Sequence, residues 1–113
     1  PVRRPDVPFL INLMEGVEDI PGTVLSEGVA FDWESFPEYL DRLDAAPKVM
    51  DIGAQVPHAA LRFYVMGERG ADHAAVPTEA EVARMGTLLE ESLRAGALGF
   101  TTSRTIKHRA RDG

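Results

Sequence analysis

The chain contains no cysteine, so neither a disulfide framework nor a thiolate metal site can be built from it, and a reducing, cytoplasmic setting is compatible. No apolar run approaches the roughly 20 residues that span a bilayer, and the opening PVRRPDVP lacks the order of a signal peptide; no membrane partner is expected. Basic residues are scarce, 12 against 18 acidic ones for a net charge of −6, which disfavours non-specific nucleic-acid binding. The usual catalytic signatures are missing too: GxxxxGK[ST], a GxGxxG opening a helix, GxSxG and HExxH. The first residue is not Met, and the expectation is a chain that begins inside a longer gene product.

What is present is ordinary for a globular protein. The 113 residues are 44% hydrophobic and 27% charged, at most one domain's worth and able to bury about two thirds of the unfolded surface. Charge is uneven: residues 1–100 carry 17 acids and 8 bases, whereas Arg104, Lys107, Arg109 and Arg111 face only Asp112 in the last 13 positions. That end reads either as a solvated basic tail or as an anion-binding loop.

The organising stretch is TEAEVARMGTLLEESLRAGALGFTTSR, residues 78–104. Thr78 and Glu81 fit a capping box. Val82, Met85, Leu89 and Leu93 form an apolar stripe, and Gly96 stands where a left-handed residue would stop the helix. The spacing predicts a helix over 78–95 and a strand over 97–102. VMDIGAQV predicts a parallel partner strand over 49–56, ended by Pro57, with His58 to Arg62 turning into a short helical piece. Further helices are predicted over 6–18 and, from the Ser35/Glu38 box, over 35–46. Residues 23–31 read as a loop with a short extended piece. Strand, helix and strand make one β-α-β crossover, hence an α/β fold with a parallel pair.

In such sheets ligands bind at the carboxyl ends of the strands. Two groups fall there: His58 and Arg62 after the first strand, and Thr102, Ser103 and Arg104, with His108 beyond, after the second. If the strands are neighbours, both groups share a rim. The three histidines, His58, His73 and His108, lack metal-ligand spacing, so no zinc site is expected within this chain. Ser103, His108 and Asp112 crowd one polar tail and make no triad. Glu90-Glu91 and the Asp41/Asp44 pair read as solvated helix faces.

Three segments in order, GVAFDWESFPEYLDRL, IGAQVPHAALRFYVMGERG and RAGALGFTTSRTIKHRARDG, resemble the D-aminoacylase (N-acyl-D-amino-acid deacylase) branch of the amidohydrolase superfamily. Trp33 to Leu40 match its W-x-[ST]-F-x-E-Y-L, His58 with Leu61-Arg62 its strand-end His followed by L-R, and Gly96 to Thr102 its G-A-x-G-[FL]-[ST]-[ST]. LINLMEGVEDIPG is family-like as well. The resemblance implies a segment of a (β/α)8, TIM-type barrel and a zinc-dependent hydrolysis of N-acyl-D-amino acids. Its metal ligands (an H-x-H, a bridging cysteine, two later histidines) and its catalytic aspartate are expected outside this chain. The expected partners are a small N-acyl amino acid and the remainder of the barrel, or a second copy through self-association. The family often has G-L-x-Y after the [ST]-[ST] pair; here Ser103-Arg104-Thr105-Ile106 follows, so no tyrosine role carries over. Pro57 stands where glycine commonly precedes the histidine. A competing reading from another class is a stand-alone α/β interaction module with an anion-binding basic tail.

Overall fold

A computed structural model describes residues 1–18 and 21–103. The described residues divide into two compact units, one within Val2–Asp32 and one of Trp33–Ser103 together with Pro1.

In the first unit a 3-10 turn, Arg4–Asp6, leads into helix α1, Val7–Glu18. Helix α2, Gly22–Gly28, follows. It takes residues 23–28 of the 23–31 stretch expected to be loop and extended chain, while 29–31 are outside any helix or strand. Pro21, with φ −55° and ψ 135°, stands at the N-cap, where a missing N–H costs nothing. Ser26 returns its hydroxyl to the Gly22 carbonyl at 2.5 Å, and Leu25 is buried. Burial of that one leucine outweighs the modest β preference of Thr23 and Val24.

The second unit contains helix α3 (Phe36–Ala45), strand β1 (Val56–Pro57), helix α4 (His58–Met66), a 3-10 turn (Gly67–Ala71), helix α5 (Glu79–Arg94) and strand β2 (Phe100–Thr101). Both capping boxes form. The Glu38 amide donates to Ser35 Oγ at 3.2 Å and the Ser35 amide to Glu38 Oε2 at 2.9 Å. The Glu81 amide donates to Thr78 Oγ1 at 3.2 Å and the Thr78 amide to Glu81 Oε2 at 2.8 Å. Lys48 closes the other end of α3, its ammonium donating to the carbonyls of Leu43 at 2.7 Å, Asp44 at 2.9 Å and Ala46 at 3.1 Å. A cation on the last carbonyls also opposes the negative end of the helix dipole.

Helix α5 ends in a Schellman motif. The Ala97 amide reaches Ser92 O at 3.0 Å and the Gly96 amide reaches Leu93 O at 3.1 Å, with Gly96 at φ +118°. Only glycine adopts that φ without strain. The stripe α5 buries is shifted from the one its spacing predicts. Met85, Leu88 and Leu89 meet the core and Ser92 is buried, its hydroxyl bonded to Leu88 O at 2.7 Å, while Val82 and Leu93 are exposed. A small polar residue that satisfies itself on its own helix lets the backbone come close, and hydrophobicity alone does not flag it.

The core joins Phe36, Val56 and Leu61 with Tyr39, Leu40, Ala54, Met85, Leu88, Leu89 and Ala97. The ring of Trp33 packs at 5.2 Å from that of Tyr39 on α3. β1 and β2 are parallel, with Val56 opposite Phe100 and Pro57 opposite Thr101. Further ladder bonds run from the Leu98 amide to Ala54 O and from the Val56 amide to Gly99 O, both 2.9 Å. The predicted strands over 49–56 and 97–102 are thus shortened to their paired ends. Val56 is fully buried, whereas Met50 remains 70% exposed and Leu98 71%. A strand exists only where a neighbour takes its backbone groups, and among the described residues 49–53 have none. The result is an α/β arrangement with one parallel crossover. Among the described residues no helix is long and apolar enough to cross a membrane.

Candidate functional site

The register decides what meets at the strand ends. With Pro57 opposite Thr101, the next residues are His58 and Thr102, and His58 Nδ1 lies 3.1 Å from Thr102 Oγ1. The two are 44 positions apart in sequence. Phe100 meets the imidazole edge-on, ring centroids 5.6 Å apart and planes at 69°, an arrangement that aromatic quadrupoles favour. Pro57, at φ −80° and ψ 131°, cannot extend the ladder. The chain therefore turns into α4 at His58 itself, which fixes the ring over the end of β2. His58 is half-buried; Thr101, Thr102 and Ser103 are exposed. An imidazole and a hydroxyl held together at an open rim can exchange a proton or orient a polar ligand.

Arg62, expected to line the site, is bonded in the structure to the chain's own carbonyls. Its guanidinium donates from Nε to Gly70 O at 3.0 Å, from Nη2 to Asp72 O at 2.9 Å and again from Nη2 to Ala75 O. All three acceptors belong to the connection between α4 and α5. Arg69 ties the same connection to the start of α5, with Nη1 2.8 Å from Glu81 Oε1 and Nη2 3.3 Å from Val76 O. The Thr78 amide holds the Glu81 carboxyl below the usual carboxylate value; desolvation works against this, and the hydrogen bond and charge of Arg69 add to it. Sequence reading also missed Tyr64, whose hydroxyl donates to Glu34 Oε1 at 2.9 Å; nothing in a single sequence marks that pair. Arg104 and His108, and with them the basic tail, lie outside the described residues.

No group of three or more His, Asp or Glu side chains that could hold a metal ion occurs among the described residues. The imidazole of His58 is engaged with Thr102, and His73 is exposed in a loop. Among the described residues the three or four donors that a zinc ion takes from a protein are therefore not gathered in one place.

A parallel β-α-β crossover with polar groups gathered at the strand carboxyl ends defines an α/β protein of the kind that binds ligands on that edge. The sequence narrows the class: the model of the Amidohydrolase family matches residues 3–113, and the chain belongs to that family. Among curated proteins it is 37% identical over 82 residues to the D-aminoacylase of Alcaligenes xylosoxydans xylosoxydans, covering 73% of this chain and 16% of that protein. It is 34% identical over 82 residues to the N-acyl-D-aspartate deacylase of the same organism, with the same coverage. An uncharacterised protein of Mycobacterium tuberculosis is 40% identical over 70 residues, 61% of this chain and 12% of that one. The chain thus spans about an eighth to a sixth of the length of these relatives. No solved structure gives a significant match.

Proposed function

We propose that this chain is a wall segment of a zinc-dependent amidohydrolase that cleaves the amide bond of N-acyl-D-amino acids, with His58 and Thr102 on the active-site rim. The observation that carries this reading is the contact between them: the family match and the two relatives supply the chemistry, and the parallel register supplies one shared edge where it would act. On the same reading Ser103, Arg104 and His108 continue that rim in sequence. The zinc and the catalytic aspartate belong to other parts of the protein.

The exposed apolar side chains support a barrel context. Phe100 in β2, Leu98 just before it, and Met50 and Ile52 in the segment leading to β1 are open to solvent, as expected where further strands of a (β/α)8 barrel would cover them. The remainder of that barrel is the partner this reading requires.

The test is hydrolysis by the intact protein, with metal content measured in parallel. N-acetyl-D-leucine and N-acetyl-D-aspartate separate the two specificities that the relatives' names carry. Turnover of either, lost with EDTA and restored by Zn²⁺, supports the reading; no turnover of any N-acyl-D-amino acid by a metal-loaded protein refutes it. The 113-residue chain alone should be inactive and should self-associate. A compact monomer in light scattering at micromolar concentration counts against the barrel context.

A further inference from the structure

The guanidinium of Arg62 gathers three carbonyls of a single connection. The acceptors, Gly70, Asp72 and Ala75, fall within six residues, and a planar fork with fixed donor directions suits such a set where a flexible ammonium does not. The stretch is held from its other sides too. Gly70 is buried, seated so closely on α4 that an added Cβ would lie 2.5 Å from Arg62 O and 2.7 Å from Phe63 Cα. Asp72 Oδ1 accepts from the Ala74 amide at 2.9 Å, and Arg69 pins the far side to Glu81.

Where this stretch lies follows from the crossover. α5 delivers the chain through the Gly96 stop to the amino end of β2, so the carboxyl end of α5 is at the lower edge of the sheet. In a parallel crossover the helix runs antiparallel to the strands, so its amino end and the connection 67–77 leading into it face the edge at which β1 and β2 end. That is the ligand-binding edge of parallel α/β sheets.

We propose that Arg62 is a positioning residue of this rim: it holds residues 70–75 as a rigid wall that limits which side chain of an N-acyl amino acid can be accommodated, without touching the substrate. The inference rests on the functional reading above and adds to it a determinant of substrate size.

The test uses the intact protein with Arg62→Lys and Arg62→Gln, assayed on N-acetyl-D-alanine and N-acetyl-D-phenylalanine, with hydrogen exchange of the amides of 70–77 followed by mass spectrometry. Both variants are expected to raise exchange in 70–77 by about tenfold or more, since bonds to a charged donor are lost. They should also move the ratio of kcat/KM between the two substrates by about tenfold, while kcat on N-acetyl-D-alanine stays within about twofold. Lys is expected not to rescue. Unchanged exchange overturns the staple, and faster exchange with an unchanged substrate ratio overturns the rim role. If neither Arg62 variant folds, Asp72→Ala loosens the same wall from its exposed side and is read out in the same two ways. A wild-type protein inactive on every N-acyl-D-amino acid, with exchange responding as expected, sinks the functional reading and confines Arg62 to a structural staple.

Discussion

Gly70→Ala and Gly86→Ala add the same methyl group, and the structure assigns them opposite signs. At Gly70 the new Cβ would lie 2.5 Å from Arg62 O and 2.7 Å from both Arg62 C and Phe63 Cα. All three atoms are helix backbone, so no rotamer change relieves the clash, and the 3-10 turn must separate from α4. Overpacking of this kind costs about 1–3 kcal/mol. Separation also stretches the 3.0 Å bond from Arg62 Nε to Gly70 O, and a bond to a charged group is worth about 1.5–3 kcal/mol. The two overlap, since one displacement serves both, so about 3 kcal/mol is the expected loss. Gly86 lies inside α5 with nothing within 4 Å of its added Cβ. Alanine there is expected to stabilise by about 0.5–1 kcal/mol, the helix-interior difference between the two residues. Urea or thermal unfolding of the intact protein, with both variants beside wild type, measures the contrast. A Gly70→Ala protein as stable as wild type, or two shifts of the same sign, would show that α4 and the Gly67–Ala71 turn are not packed as described.

Leu61→Ala removes one of the three central core side chains and is expected to cost about 2–5 kcal/mol in denaturant unfolding. Thr78→Ala should cost about 1 kcal/mol through its lost cap, visible as faster amide exchange at Glu81 and in the first turn of α5. Because the Glu81 carboxyl lies below its unfolded-state value, its contribution is fully present above that unfolded value and is lost as pH falls through the depressed folded one. Glu81→Gln should flatten that acid limb of the stability profile and leave neutral pH behaviour to the cap alone. Thr102→Val, which removes the hydroxyl 3.1 Å from His58 Nδ1, should shift the ¹⁵N signals of that imidazole; an unmoved Nδ1 resonance would show that the contact is not made.

Legibility in the sequence follows the range of the interaction. Capping boxes and the glycine stop act over three to six residues, and Thr78/Glu81, Ser35/Glu38 and Gly96 can be read from residue types alone. Strand 49–55 cannot, because its alternation states only that one side is apolar; pairing depends on which residues stand beside it. Helix α2 was hidden for the related reason that Leu25 gains its burial from tertiary packing. Ser92 in the buried stripe of α5 was hidden by its polarity. The candidate site is intermediate. That His58 and Thr102 share an edge follows once β1 and β2 are neighbours, but their 3.1 Å contact needs the register. Arg62 looks like a rim cation in the sequence because carbonyl acceptors have no residue signature.

The turn at Gly96 has one more implication. Its two interlocking bonds, Gly96 to Leu93 and Ala97 to Ser92, leave no slack between α5 and β2, so this junction cannot take an extra residue without unwinding the helix or shifting the register. The opposite junction, from β1 through α4 to Thr78, spends some twenty residues on the same reversal. A residue added to that upper connection leaves the two lower bonds, and with them the alignment of the sheet, untouched.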